Sequence, residues 1–347
     1  MKKFCFRRIA ILFVVVLFFV SCNTGNKNKS SETNTISETN DTVQIIQNLS
    51  DEIRENPRNH KLFAKRAELQ YASNNVPEAV NDLEIALKLD SLNPNYLIKI
   101  SEYYLSMGRS GKALDALLKC VKYYPNNREA HFNLAQIYFY VEQYKDALKE
   151  ISIIEEHNKQ NAETYFLKGL IYRENGDNTN AIHNFRKTLE YNTEHWEAHN
   201  LLGLSFYELN DPLAVEYFNT AVRLFPDNYE ICLNSAITLQ KFGKIQESIS
   251  QYKSLIEKFP DSFNARYNLG YVYLVYTESY NLAIEQFTNA LKIDSMSGET
   301  YYNRGYTYEL MGKLDSAKAD YFKSLEIIPN YDMAIEGLNS IDKKLLN

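Results

Sequence analysis

Cysteine is scarce: Cys5, Cys22, Cys120 and Cys232 are all there is in 347 residues, too few for a disulfide-stapled scaffold. Positive charge is also short. The 38 Lys and Arg face 44 Asp and Glu, a formal charge of −6, so no basic excess exists to grip nucleic acid. With 12 Gly and 8 Pro the chain cannot be collagen-like, and 45% hydrophobic content excludes disorder throughout. No long apolar run occurs either. The longest, from Ile9 to Val20, has twelve residues, against about 20 for a membrane-spanning helix. Tyrosine, by contrast, is abundant, with 27 copies.

Lys2, Lys3, Arg7 and Arg8 precede that apolar run, the layout of a secretion signal over residues 1–21. The junction Phe19-Val20-Ser21-Cys22 resembles a bacterial lipobox, with Phe19 where the pattern prefers Leu. The resemblance implies lipid on Cys22 after cleavage. The processed chain would carry 34 basic and 44 acidic residues, a net of −10, so the lipid and not surface charge would hold it to a membrane. Residues 22–42 are expected to be the lipidated Cys and a disordered tether, because Ile36 is the one large apolar residue between Asn23 and Thr42. As a flexible coil it would reach roughly 25 Å. Asn23 after the cysteine, by resemblance to lipoprotein sorting rules, implies the outer membrane facing the periplasm.

The rest is periodic. Gly169, Gly203, Gly270 and Gly305 are spaced 34, 67 and 35 apart; Gly108, Gly176, Gly243 and Gly312 are spaced 68, 67 and 69. Ala79, Ala113, Ala147, Ala181, Ala214, Ala283 and Ala317 share a phase, with Ser248 in the missing slot. Tyr104, Tyr138, Tyr172, Phe206, Tyr273 and Tyr308 share another, and Pro125, Pro226, Pro260 and Pro329 a fourth. Chance does not align four residue classes on one period.

This pattern resembles the tetratricopeptide repeat (TPR). The resemblance implies an all-α fold: a right-handed α-solenoid of eight helical hairpins over residues 60–331, each a helix A and a helix B. The units are 60–93, 94–127, 128–161, 162–195, 196–228, 229–262, 263–297 and 298–331. The fifth is one residue short near Pro212 and the seventh one residue long near Thr277, both in the turn between helices. In each unit the early glycine should let helix A approach helix B at the alanine, and the later glycine should end helix A in a left-handed turn. A capping helix is expected over 43–59, with Ile45, Ile46, Leu49 and Ile53 on its inner face. A second is expected over 332–347, with Ala334, Leu338, Ile341 and Leu345 inward.

By the same resemblance helix A lines an inner groove. Its inward positions hold Phe132, Phe166, Tyr207, Tyr267, Tyr271, Tyr302 and Tyr306, rings of the kind that anchor partners, or that pack neighbouring A helices together. Asn133, Asn234, Asn268 and Asn303 share one helix A position and resemble the asparagine ladder with which some TPR proteins hold an extended peptide. A solvated polar residue is the other reading of that phase. The dicarboxylate clamp of chaperone-binding TPRs is rejected, since Ala64, Glu68 and Lys99 stand where its residues belong.

Catalytic chemistry finds no footing. Gly108-Arg109-Ser110-Gly111-Lys112-Ala113 lacks the first glycine and the Ser or Thr of a phosphate loop. His195 and His199 have no third partner for a metal, and Cys120 and Cys232 belong to distant units and read as separate buried thiols. No cofactor, metal, nucleic acid or small-molecule ligand is expected. The expectation is a non-enzymatic, lipid-anchored scaffold of the bacterial cell envelope that captures an extended peptide or partner protein in its groove during envelope assembly or maintenance. The alternative is a carbohydrate- or peptidoglycan-binding lipoprotein that stacks sugars on the same rings. An enzyme resembling TPR-bearing transferases is set aside, because those place a catalytic domain after the array and sixteen residues follow unit eight here.

Overall fold

The computed structural model describes residues 34–157 and 160–346, and every regular element in them is an α-helix. The secretion signal, the lipobox and Cys22 lie outside the described residues. Helix α1 (Asn34–Glu55) precedes eight successions of helix A and helix B. These are α2 (His60–Ala72) and α3 (Val76–Leu89), α4 (Pro94–Ser106) and α5 (Ser110–Tyr123), α6 (Arg128–Tyr140) and α7 (Tyr144–Glu156), α8 (Ala162–Glu174) and α9 (Asn178–Tyr191). Then come α10 (Trp196–Glu208) and α11 (Leu213–Leu224), α12 (Tyr229–Lys241) and α13 (Ile245–Lys258), α14 (Phe263–Val275) and α15 (Tyr280–Ile293), and α16 (Gly298–Leu310) and α17 (Leu314–Ile327). Helix α18 (Asp332–Leu346) closes the series. Each helix A starts at the first residue of its repeat unit. The chain forms two compact units, one up to Ala181 and one from Ile182.

Helix A begins where a side chain can cap it. Asn59, Asn93, Asn127, Asn161, His195, Asn228, Ser262 and Ser297 stand at one phase, and each accepts a hydrogen bond from a backbone N–H of the first turn. Helix B follows a tight turn, and side-chain oxygens accept from its first N–H groups at Asp177 before α9 and Asp211 before α11. That turn holds a left-handed residue in every unit: Gly108, Gly176, Gly243 and Gly312 in the even units, and Asn74, Glu142, Asn210 and Glu278 in the odd ones. The doubled glycine spacing is therefore a property of residue choice, since the backbone repeats every unit. The extra residue of unit seven falls in this turn. The short unit five has the shortest helix, α11, with 12 residues.

The hairpin core is a fit between one small and one large residue. One helix B phase is fully buried in every unit: Leu83, Leu117, Ile151, Phe185, Phe218, Tyr252, Phe287 and Tyr321. Burying one such side chain contributes about 1.5–3 kcal/mol. Where helix A has glycine in the facing phase, the buried residue is aromatic. A Cβ on Gly203 would lie 2.9 Å from the Phe218 ring, one on Gly270 2.8 Å from Phe287, and one on Gly305 3.0 Å from Tyr321. Where Ala67, Ser101 or Ala135 fills that phase, the partner is Leu83, Leu117 or Ile151, while in unit six Ala236 stands with the aromatic Tyr252. The glycine thus lets helix A close on helix B by seating a ring, and the alanine phase is buried in all eight units.

The two ends of the array carry the same polar lock. Arg66 on α2 makes a bidentate pair with Asp82 on α3 (2.6 and 2.7 Å) and donates to Ser50 on α1 at 2.8 Å. Arg304 on α16 does the same with Asp320 on α17 (2.7 Å twice) and with Thr288 on α15 at 3.1 Å. The second triad lies seven 34-residue periods after the first. Helix α1 thus stands where a preceding helix B would stand. Two expectations about it need correction. It starts at Asn34, so the later part of the expected tether is helical, and Ile45 is exposed while Leu49 and Ile53 are buried. A helix satisfies its own backbone polar groups, so a polar segment can extend it without a core of its own. At the other end Ala334 and Ile341 of α18 are buried against Ala317 and Tyr321.

Candidate functional site

In the unit up to Ala181, Phe132 and Asn133 of α6 are half-buried, with the Arg128 guanidinium 5.7 Å from the Phe132 ring centroid. Phe166 is 1% exposed and belongs to the core, which removes it from any binding face. The ring phase at the start of helix A lies between neighbouring A helices, and a ring that fits that gap completely is not available outside it. Lys99 is ion-paired with Glu68, so the positions tested for the dicarboxylate clamp neutralise each other.

The unit from Ile182 holds the denser cluster. On α10 the half-buried Tyr207 lies under Lys241 of α12, whose ammonium is 3.9 Å from the ring centroid and donates to the Tyr207 carbonyl at 2.7 Å. Further along, Tyr267 of α14 stacks on Phe263 (5.9 Å, 16°), and Tyr302 of α16 stacks on Tyr306 (6.2 Å, 10°). Burial pushes the hydroxyls of Tyr267 and Tyr302 up to about 12, so both stay neutral donors at ordinary pH. Tyr271 and Tyr306, one turn further along their helices, are 36% and 39% exposed. The aromatic phase nearest the turn is therefore half-buried in Tyr267 and Tyr302, and the next one along is more exposed.

The asparagine phase also divides. Asn303 is buried, and its Nδ2 donates to the Tyr267 hydroxyl at 3.0 Å, so it joins α16 to α14 and is largely withdrawn from the surface. Asn133, Asn234 and Asn268 are half-buried, and their side-chain amides make no hydrogen bond among the described residues. The three-residue run expected from Asn234, Asn268 and Asn303 is thus a pair, Asn234 and Asn268. Sequence reasoning missed Tyr331, whose ring meets Tyr302 edge-on at 5.4 Å and 77°. Its signal was available: it follows Pro329 and Asn330 at the entry to the last helix.

Histidine and cysteine serve the frame. The capping phase explains His195, whose Nδ1 accepts from the Ala198 N–H at 3.4 Å. Fourth residues of helix A reach back six positions to the preceding turn. His131 Nε2 donates to the Pro125 carbonyl at 2.8 Å, His199 Nε2 to Thr193 at 3.0 Å, Cys232 Sγ to Pro226 at 3.4 Å, and Arg266 to Pro260 at 2.9 Å. Cys120 and Cys232 are free and buried, and burial raises both thiols. Among the described residues no group of three or more His, Cys, Asp or Glu could hold a metal, and no helix is long and apolar enough to cross a membrane. Gly108 sits in the left-handed turn after α4, so the glycine-lysine stretch there is a helix–helix connection.

The tetratricopeptide repeat signature matches residues 98–151, 132–182, 166–229 and 233–275, and again 298–331. The chain belongs to the tetratricopeptide repeat family. Such repeats are scaffolds for protein partners and typically carry no catalysis. Over 244 residues this tetratricopeptide repeat protein is 22% identical to the BBSome complex member BBS4 of Bos taurus, which covers 70% of this chain and 47% of that protein. A TPR repeat-containing protein of Methanocaldococcus jannaschii is 22% identical over 253 residues, 65% of this chain and 43% of its own. The chain therefore spans less than half the length of the curated relatives it matches. Among solved structures, the C-terminal part of a TPR repeat-containing protein from Cytophaga hutchinsonii gives a TM-score of 0.60 at 16% identity, covering 70% of this chain and 99% of that one. That likeness is one of fold.

Proposed function

We propose that this protein is a lipid-anchored scaffold of the bacterial cell envelope that captures an extended segment of a partner protein on the helix A face of its later repeats. The observation that carries the reading is the pairing of presented rings with open amides. Tyr271 and Tyr306 are partly exposed on α14 and α16, and Asn234 and Asn268 on α12 and α14 have side-chain amides without an internal partner. Rings supply apolar area at low entropic cost, and an amide both donates to and accepts from a peptide backbone. The lipid and the envelope rest on Cys22 following an apolar run and Ser21. Membership of an assembly, which the name of the Bos taurus relative declares for that protein, is the role such a scaffold would have.

The test is site-specific photo-crosslinking of the full chain in its native cell. A crosslinker at Tyr271 or Tyr306 should trap one identifiable partner, while one at Phe322, exposed on helix B of the last hairpin, should not. Trapping from Phe322 alone would sink the assignment of the face. Cys22→Ser should move the protein from the membrane fraction to the soluble fraction; unchanged fractionation would remove the lipid from the proposal.

A further inference from the structure

Two carboxylates frame the tyrosine cluster at the end of the array. Tyr267, Tyr302 and Glu336 occupy one phase on three successive helices, α14, α16 and α18, so the capping helix offers an acid where its two predecessors offer a ring. Glu299 lies three residues before Tyr302 and seven before Tyr306, which puts all three on one stripe of α16. Tyr331 bridges the two sides through its edge contact with Tyr302. After burial, the charge of Glu299 is the next largest influence holding up the Tyr267 and Tyr331 hydroxyls, and Glu336 acts on Tyr302 in the same sense. The acids are therefore close to the rings.

The site also lacks a cation of its own. Elsewhere in the chain Tyr104, Tyr207, Phe206 and Tyr301 each have a lysine or arginine over the ring. Among the described residues none stands over Tyr267, Tyr271, Tyr302, Tyr306 or Tyr331, and neither Glu299 nor Glu336 has an ion-pair partner. The nearby basic groups are committed: Arg304 to Asp320 and Thr288, Arg266 to the Pro260 carbonyl, Lys344 to Glu309.

We propose that the Tyr267–Tyr302–Tyr306–Tyr331 cluster, flanked by Glu299 and Glu336, receives one cationic side chain, a lysine or arginine carried by the partner's extended segment. This rests on the capture reading above and specifies its chemistry. Ring faces attract a cation through their quadrupole, and two unpaired carboxylates add charge complementarity that an acidic segment would not meet.

The experiment is NMR of the full chain with ring-13C tyrosine, titrated at constant ionic strength with n-butylammonium and n-butylguanidinium chlorides and with neutral 1-pentanol. Phenylalanine substitutions at 302, 306 and 331 assign the signals. The cations are expected to shift the signals of these rings and pentanol to leave them in place. Glu299→Gln with Glu336→Gln should weaken the cations about fivefold or more, and each single variant should give part of that loss with an unchanged thermal melt. Equal shifts from pentanol, or cation binding unaltered by the two Gln substitutions, would overturn the inference. If crosslinking from Tyr271 traps a partner while the cations shift nothing, the inference falls and the capture reading stands. If the cations bind and no partner is trapped, the cation site stands and the capture reading falls.

Discussion

A glycine facing an aromatic ring and an alanine facing a leucine are two solutions to one packing problem, and this chain uses both. Because a Cβ on Gly203 would meet the Phe218 ring at 2.9 Å, Gly203→Ala should cost about 1–3 kcal/mol in urea unfolding. Adding Phe218→Leu should recover much of that loss, and a strictly additive pair would refute the coupling. At His131 the interaction is electrostatic. Burial works against the charged ring, but the hydrogen bond to Glu150 at 2.6 Å, the Pro125 carbonyl and the Glu150 charge outweigh it, and the pKa is raised. A raised histidine stabilises the fold fully below its ordinary value near 6.5 and loses that contribution as pH rises through the folded value. Wild type should therefore lose urea midpoint between pH 6 and pH 8.5, and His131→Gln should show a flatter profile over that interval. The capping and small–large phases were both open to the eye in the sequence, in Asn59, Asn93, Asn127 and Asn161 at a constant spacing. Exposure of Tyr271 against burial of Phe166 was not, since it depends on how closely neighbouring helices approach.

Elements in this fold are short, mostly 13 or 14 residues, and are held by their ends as much as by their faces. Side-chain caps start each helix A, and a left-handed residue sets each helix B. Glu142 and Glu278 occupy that left-handed position at φ 61° and 51°, where glycine stands in the alternate repeats. Glu142→Gly and Glu278→Gly should each stabilise by about 0.5–1 kcal/mol, read as a higher melting temperature, whereas Gly312→Ala should lower it by a similar amount. A drop in stability on introducing either glycine would mean the glutamate makes a compensating interaction. Helix existence and phase were legible from periodicity. The start of α1 at Asn34 was not, because a polar segment with one large apolar residue gives no amphipathic signal.

For the whole molecule, stability in a repeat array is a sum over neighbours, so the last hairpin depends on what covers it. Helix α18 covers it twice over: Ala334 and Ile341 against the apolar face, and a polar clasp on Glu309. That carboxylate accepts from the Tyr321 hydroxyl (2.6 Å), the Ser340 hydroxyl (2.8 Å) and the Lys344 ammonium (2.8 Å). Burial alone would raise its pKa, but the three hydrogen bonds and the Lys344 charge prevail and lower it. A depressed carboxylate stabilises above its ordinary value near 4.5 and loses that contribution as pH falls through the folded value. The wild type should lose stability between pH 6 and pH 3.5, and Glu309→Gln should reduce the size of that loss in urea titrations. An identical acid response in the variant would remove the clasp from the account.

Period, unit boundaries and hairpin order follow from the sequence by itself, because each is written in the spacing of small, bulky and turn-forming residues along the chain. Tertiary structure alone decided which members of a phase are available. Asn268 and Asn303, or Phe132 and Phe166, look equivalent as inward residues of helix A. Their fates differ because a side chain's exposure is set by the distance and identity of the next helix, a relation between residues about 36 positions apart.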